Sequence, residues 1–267
     1  MNSNPIGVFD SGIGGLTVAR AIKKLLPNES IIYFGDTAHL PYGDKSEAAI
    51  QAYSVKITDV LLSKNCKAIV VACNSASSSA YSLLKEYAGK RLEIVNVIDP
   101  MVKYVTEHYE SKKIGIIGTK RTVSSGIYAR KLMANKKNLT VSSLATPLLV
   151  PMIEEGFFNQ QISHDIIANY LNQEDLNAID ALVLGCTHYP LIKDEIAQYL
   201  GEHIDVLDSS EITAMHLQQT LQAKDLLAIT KDREDEFMVS DFTKSFESST
   251  KMFFGEAITL TPYQLWE

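Results

Sequence analysis

At 267 residues the chain suits one large or two medium globular domains, and 46% hydrophobic with 21% charged residues excludes a disordered or collagen-like chain. A net charge of -7, from 32 acidic against 25 basic residues, argues against nucleic acid as the primary partner, because a duplex binder needs a basic footprint. No apolar run approaches the ~20 residues that span a bilayer, Met1-Asn2-Ser3-Asn4-Pro5 lacks the plan of a signal peptide, and three cysteines are too few for a disulfide framework, so the expected setting is a reducing cytoplasm with no membrane contact.

Short apolar runs alternate with longer amphipathic stretches, which is the plan of an α/β protein with a largely parallel sheet. Ile6 to Phe9 reads as a strand that enters the turn Asp10-Ser11-Gly12-Ile13-Gly14-Gly15, followed by a helix from Leu16 to Leu26. Next come a strand at Ile31 to Phe34, a turn-rich loop from Gly35 to Asp44 and a helix ending near Ser63. Ala68 to Ala72 is a buried strand running into Cys73-Asn74-Ser75, and a strand from Glu93 to Ile98 stops at Asp99-Pro100.

The pattern then starts again. Ile114-Gly115-Ile116-Ile117-Gly118-Thr119 resembles Ile6 to Ser11, and Ala181-Leu182-Val183-Leu184-Gly185-Cys186 resembles Ala68 to Cys73. Two matches in the same order predict an internal duplication. The expectation is two similar, pseudo-symmetric lobes, each a mainly parallel sheet flanked by helices, with the active site in the cleft between them. The first lobe takes residues 1–97 and recovers the tail 210–267, leaving 98–209 as the second. That tail is more charged, with a strand candidate at Phe237-Met238-Val239 and a helix candidate from Asp241.

Ligands of open α/β sheets sit outside the carboxyl ends of the strands, and Asp10, Cys73 and Cys186 all fall at such ends. A lone cysteine is ordinarily a small buried hydrophobe, which suits Cys66 in its helix-to-strand connection. Two cysteines at equivalent ends of repeated strands are better explained by chemistry. A thiol of ordinary pKa, about 8.5, is mostly protonated at neutral pH, so a thiol base needs a helper. His188 stands two residues after Cys186, and Asp10 and Glu154 are further candidates. The cysteines lack the paired spacing of a zinc site, so no metal is expected.

The turn Gly12-Ile13-Gly14-Gly15 matches neither a dinucleotide fingerprint, since Thr17 stands where the third glycine belongs, nor a P-loop. Its backbone N–H groups suit an anion, and a carboxylate better than a phosphate. In the loop Gly35 to Gly43, His39 reads as structural, while Tyr42 and Gly43 should face the crevice.

Together, Asp10-Ser11-Gly12-Ile13-Gly14-Gly15, Gly35-Asp36-Thr37-Ala38, Pro41-Tyr42-Gly43, Ala72-Cys73-Asn74-Ser75-Ala76 and Gly185-Cys186-Thr187-His188-Tyr189-Pro190 resemble the bacterial glutamate racemases of the aspartate/glutamate racemase superfamily. The resemblance spans nearly the whole chain in order. It implies a cofactor-independent isomerase that interconverts L- and D-glutamate for peptidoglycan synthesis, as a homodimer. It implies Cys73 and Cys186 as bases on opposite faces of the substrate, Asp10 assisting Cys73, and Glu154 and His188 assisting Cys186. By the same resemblance Ser11, Tyr42, Gly43, Asn74, Ser75, Thr187 and His188 contact the ligand, and Thr119 and Thr122 line its carboxylate end. The family's Cys-Asn-Thr-Ala reads Cys73-Asn74-Ser75-Ala76 here, which keeps the hydroxyl and loses a methyl. The alternatives are an aspartate or other amino-acid racemase of this superfamily, a non-catalytic two-lobed binding protein, and a thiol hydrolase built on Cys186 and His188. A pyridoxal phosphate enzyme would need a Schiff-base lysine, and none stands at a comparable strand end.

Overall fold

The computed structural model describes residues 3–89, 92–135 and 137–266, so Met1 and Asn2 of the opening segment lie outside the described residues. Its strands are β1 (Ile6–Asp10), β2 (Ile31–Gly35), β3 (Ala68–Val71), β4 (Glu93–Asn96), β5 (Lys113–Gly118), β6 (Thr140–Ala145), β7 (Ala181–Gly185), β8 (Asp205–Asp208), β9 (Glu236–Val239) and β10 (Thr261–Pro262). Its α-helices are α1 (Leu16–Leu25), α2 (Glu47–Ser63), α3 (Asn74–Ala88), α4 (Ile98–His108), α5 (Lys120–Ser124), α6 (Ile127–Met133), α7 (Leu149–Glu154), α8 (Gln161–Leu171), α9 (Lys193–Leu200), α10 (Ser209–Ala223) and α11 (Lys244–Phe254).

The strands form two parallel sheets, one in the order β10-β9-β2-β1-β3-β4 and the other β6-β5-β7-β8. The last four of the first sheet, β2-β1-β3-β4, repeat the order of the whole second sheet, β6-β5-β7-β8. The register repeats as well: Ile6 pairs with Ala68 across β1 and β3, and Ile114 pairs with Ala181 across β5 and β7. The sequence repeat is therefore a structural one, and the α/β architecture of two sheets flanked by helices is as expected.

β1, β2, β3 and β7 are buried along their full length, as their largely apolar runs require of parallel strands covered on both faces. One apolar cluster joins Val8 and Val70 of the first sheet to Ile116 and Val183 of the second, so the lobes share a core. Phe9, Ile32 and Val71 point the other way, into a second cluster under α2 and α3. Burying a side chain of this size stabilises the fold by about 1.5–3 kcal/mol.

Several boundaries differ from the sequence reading. β4 ends at Asn96, not Ile98, because the Asn96 side chain turns back and accepts from the N–H groups of Ile98 and Asp99, both at 2.7 Å, starting α4. Asp99 and Pro100 then lie in the first turn of that helix, where a proline costs no hydrogen bond. The last helix begins at Lys244, three residues later than expected, with Thr243 Oγ1 accepting from Phe246 N at 3.1 Å. β6, β8 and β10 escaped the sequence reading. No helix among the described residues is long and apolar enough to cross a membrane.

Candidate active site

The carboxyl ends of both sheets open on one cavity of about 190 Å³. Ser11 and Gly12 follow β1, Cys73 to Ser75 follow β3, Thr119 follows β5, Thr146 follows β6, and Cys186 to His188 follow β7; all line it. The loop after β2 contributes Leu40 to Asp44, and α7 contributes Val150, Pro151 and Glu154.

Cys73 is the residue at which β3 becomes α3. Its Sγ accepts from Ala76 N at 3.4 Å, capping the helix, and lies 3.7 Å from Ser11 Oγ. A helix N-terminus favours a thiolate, but burial and then the Asp10 charge win, and the Cys73 thiol is pushed up to about 12. At neutral pH Cys73 is therefore held as a thiol.

Asp10 ends β1 with its side chain fully buried. Burial raises its carboxyl, against the lowering effect of the His188 charge and of backbone N–H groups from Gly15, Gly12 and Ser11. The Gly12 N–H donates to Asp10 Oδ2 at 3.1 Å, while Oδ1 has no hydrogen-bond partner. One N–H of the glycine turn, that of Gly12, is thus already taken by a carboxyl from within the chain. The turn's glycines serve close approach: a Cβ on Gly15 would stand 2.5 Å from Asp10 Cβ.

The second thiol has a different helper. Cys186 Sγ lies 3.8 Å from His188 Nδ1, and His188 Nε2 lies 3.0 Å from Glu154 Oε1. Burial would lower the imidazole, but Cys186 and Glu154 outweigh it and hold His188 up at about 10. At neutral pH the ring is positively charged, between a carboxylate and a sulfur. Glu155, the neighbour of Glu154, is exposed and does not line the cavity.

The remaining sequence candidates divide. Ser11, Tyr42, Gly43, Asn74, Ser75, Thr119, Thr187 and His188 line the cavity, whereas Asp10 and Thr122 stand behind its wall. Ser75 Oγ lies 2.9 Å from Thr119 Oγ1, which in turn lies 3.2 Å from Thr122 Oγ1, so Thr122 meets the cavity wall through Thr119. The Ser75 hydroxyl keeps this link between the sheets despite the missing methyl. Asn74 Oδ1 accepts from Tyr128 at 2.8 Å, and its buried Nδ2 has no partner in the protein. Tyr42 donates to Asp36 Oδ2 at 2.6 Å, with only its ring left for the cavity. His39 stacks on Tyr53 with centroids 4.1 Å apart and does not line the cavity, consistent with a structural role.

Thr146 was missed, although it follows a strand end as the others do. Its Oγ1 lies 2.6 Å from Tyr189 Oη. The signal was weak because β6, Thr140 to Ala145, is polar and only partly buried. Among the described residues, no three or more histidine, cysteine, aspartate or glutamate side chains gather as a metal site.

The Asp/Glu/Hydantoin racemase family pattern matches residues 6–217. Among curated relatives, glutamate racemase from Chlorobaculum tepidum is 38% identical over 255 residues, covering 95% of this chain and 93% of the relative. Glutamate racemase from Neisseria meningitidis serogroup A is 40% identical over 255 residues, covering 95% and 94%. The crystal structure of glutamate racemase from Francisella tularensis in complex with D-glutamate superposes with a TM-score of 0.92 at 39% identity, covering 99% of both chains. Likeness of this depth through both sheets goes beyond a shared fold, and the chain belongs to the Asp/Glu/Hydantoin racemase family.

Proposed function

We propose that the protein is a glutamate racemase that works without a cofactor, with Cys73 and Cys186 as its two bases. The observation that carries this reading is the placement of two thiols at equivalent strand ends of repeated sheets, lining one cavity, each with its own acid–base partner. Racemisation needs a group on each face of the α-carbon, one to remove the proton and one to return it.

In one direction Cys186 takes the α-proton while Cys73, held as a thiol, delivers its own to the other face. In the reverse direction the roles exchange, with Asp10 receiving the proton that Cys73 must shed. The Asp10 oxygen without a partner is the natural acceptor. Proton transfer by a positioned group contributes about 10²–10⁴-fold. The developing enolate-like charge needs preorganised donors as well. Asn74 Nδ2, the Ser75 and Thr119 hydroxyls and the His188 charge supply them, and Leu40, Pro41, Pro147 and Val150 keep water from the rest of the cavity.

The same reading takes D-glutamate to peptidoglycan synthesis, in the cytoplasm and from a homodimer. Three buried thiols, all free, support a reducing compartment. Polarimetry on the cofactor-free protein tests the substrate. L-glutamate should lose its rotation and L-aspartate keep it; the opposite pattern would move the assignment to an aspartate racemase.

A further inference from the structure

The only tryptophan of the chain, Trp266, stands one residue from its end. β10 pairs with β9, after which Tyr263 N donates to Val239 O at 2.8 Å and the Tyr263 ring meets Phe34 edge-on with centroids 5.8 Å apart. The chain then brings the Trp266 ring against His39, with centroids 4.4 Å apart, and against Tyr53, at 5.3 Å. Lys56 Nζ lies over the same ring, 4.8 Å from its centroid. The indole N–H donates to Asp36 Oδ1 at 2.8 Å.

Asp36 is fully buried and gathers donors from distant parts of the chain. Its Oδ1 also accepts from Ser240 Oγ at 2.7 Å, its Oδ2 accepts from the Tyr42 hydroxyl at 2.6 Å, and His39 Nδ1 lies 3.1 Å from both oxygens. Its own N–H donates to the Asp10 carbonyl at 3.0 Å. Asp36 thus ties the chain end, through its buried carboxylate, to a ring that lines the cavity and, through its N–H, to the strand end beside Cys73. A buried carboxylate that loses a donor must recover it from its remaining neighbours. The neighbour that reaches the cavity is Tyr42.

We propose that Trp266 is a positioning residue of the active site: residues 263–266 form a strap that fixes Tyr42 through Asp36, and docking of the strap is coupled to occupation of the cavity. Trp266 does not itself line the cavity, so the coupling passes through the carboxylate. Linkage makes the effect reciprocal: a strap that improves ligand binding is itself held by the ligand, by the same factor. The proposal rests on the glutamate racemase reading for its ligand.

Trp266→Phe tests it, because phenylalanine keeps a ring against His39 and Tyr53 and deletes the N–H. The expected result is a KM for glutamate raised by about 5-fold or more with kcat held within about twofold, in line with ordinary coupling between sites. In the wild type, the emission of this single tryptophan should change saturably on titration with D-glutamate. In a Tyr42→Phe background, where the link to Asp36 is already cut, Trp266→Phe should add nothing further to KM. An active wild type whose KM is unmoved by Trp266→Phe, even if melting falls, would overturn the proposal and leave the racemase reading standing. So would an emission indifferent to saturating D-glutamate, or an undiminished Trp266→Phe effect in the Tyr42→Phe background. A wild type that leaves glutamate unchanged would overturn the racemase reading, and this proposal with it.

Discussion

Gly14 and His188 meet across the two lobes with no space between them: a Cβ on Gly14 would stand 2.4 Å from His188 Cε1 and 2.5 Å from Nδ1. Gly14, the residue before the N-cap of α1, thus packs directly against the imidazole that stands between Cys186 and Glu154. A second link runs beside it, with Thr17 Oγ1 of α1 donating to the Thr187 carbonyl at 2.9 Å.

Gly14→Ala should therefore displace the His188 ring without unfolding the chain. Misplacement of a catalytic group by about 1 Å costs on the order of 10²-fold, and a loss of that size in kcat/KM is expected. Steady-state kinetics with circular dichroism of the folded variant measures it. Unchanged kinetics would show that the ring tolerates the push.

The three thiols should separate cleanly. Cys73→Ala and Cys186→Ala should each abolish racemisation. Cys66, buried against Gly7 in the cluster under α2 and outside the cavity, should tolerate alanine with nearly full activity. A comparable loss at Cys66 would undo this division of roles.

Glu154 helps to keep His188 charged, so removing that carboxylate must lower the imidazole from about 10 toward its usual 6.5. The stability that this charge contributes is fully present below 6.5 and is lost as pH rises through about 10. In Glu154→Gln the alkaline limb of kcat/KM should move to lower pH by about one unit or more, the usual effect of one close opposite charge. Glu155→Gln should leave the profile in place, since that side chain is outside the cavity.

Much of this site was legible because strand ends are marked twice in the sequence, by the apolar run that precedes them and by the small polar residues that follow. Cys73 and Cys186 stood out because the repeat placed them at matching ends, and the structure pairs the strands before them in the same register. Thr146 was not legible: Thr140 to Ala145 carries too little apolar signal to mark a strand. Nor did the sequence show why Gly14 and Gly15 are glycines, because the atoms that crowd them belong to His188, Thr187, Asp10 and Ala72. The link from Trp266 to Asp36 was equally hidden, since it spans 230 positions and ends on a carboxylate that reads as an ordinary loop residue.

Alkaline stability offers a check independent of turnover. Burial raises both Cys66 and Cys73 from 9.0 to about 12, so between those values the folded state holds protons that the unfolded state has released. Stability should therefore fall as pH rises through this window. Thermal melts from pH 8 upward, compared with Cys66→Ala, should show a shallower decline in the variant. An identical decline would mean that the Cys66 thiol ionises freely in the fold.

The most direct test of two opposed thiols is the position of deuterium during the first turnovers of L-glutamate in heavy water. If one thiol removes the α-proton and the other delivers a solvent-derived deuteron, the D-glutamate formed should carry deuterium while unreacted L-glutamate remains protiated. Deuterium entering both enantiomers at the same rate would indicate a single exchanging base and contradict the account.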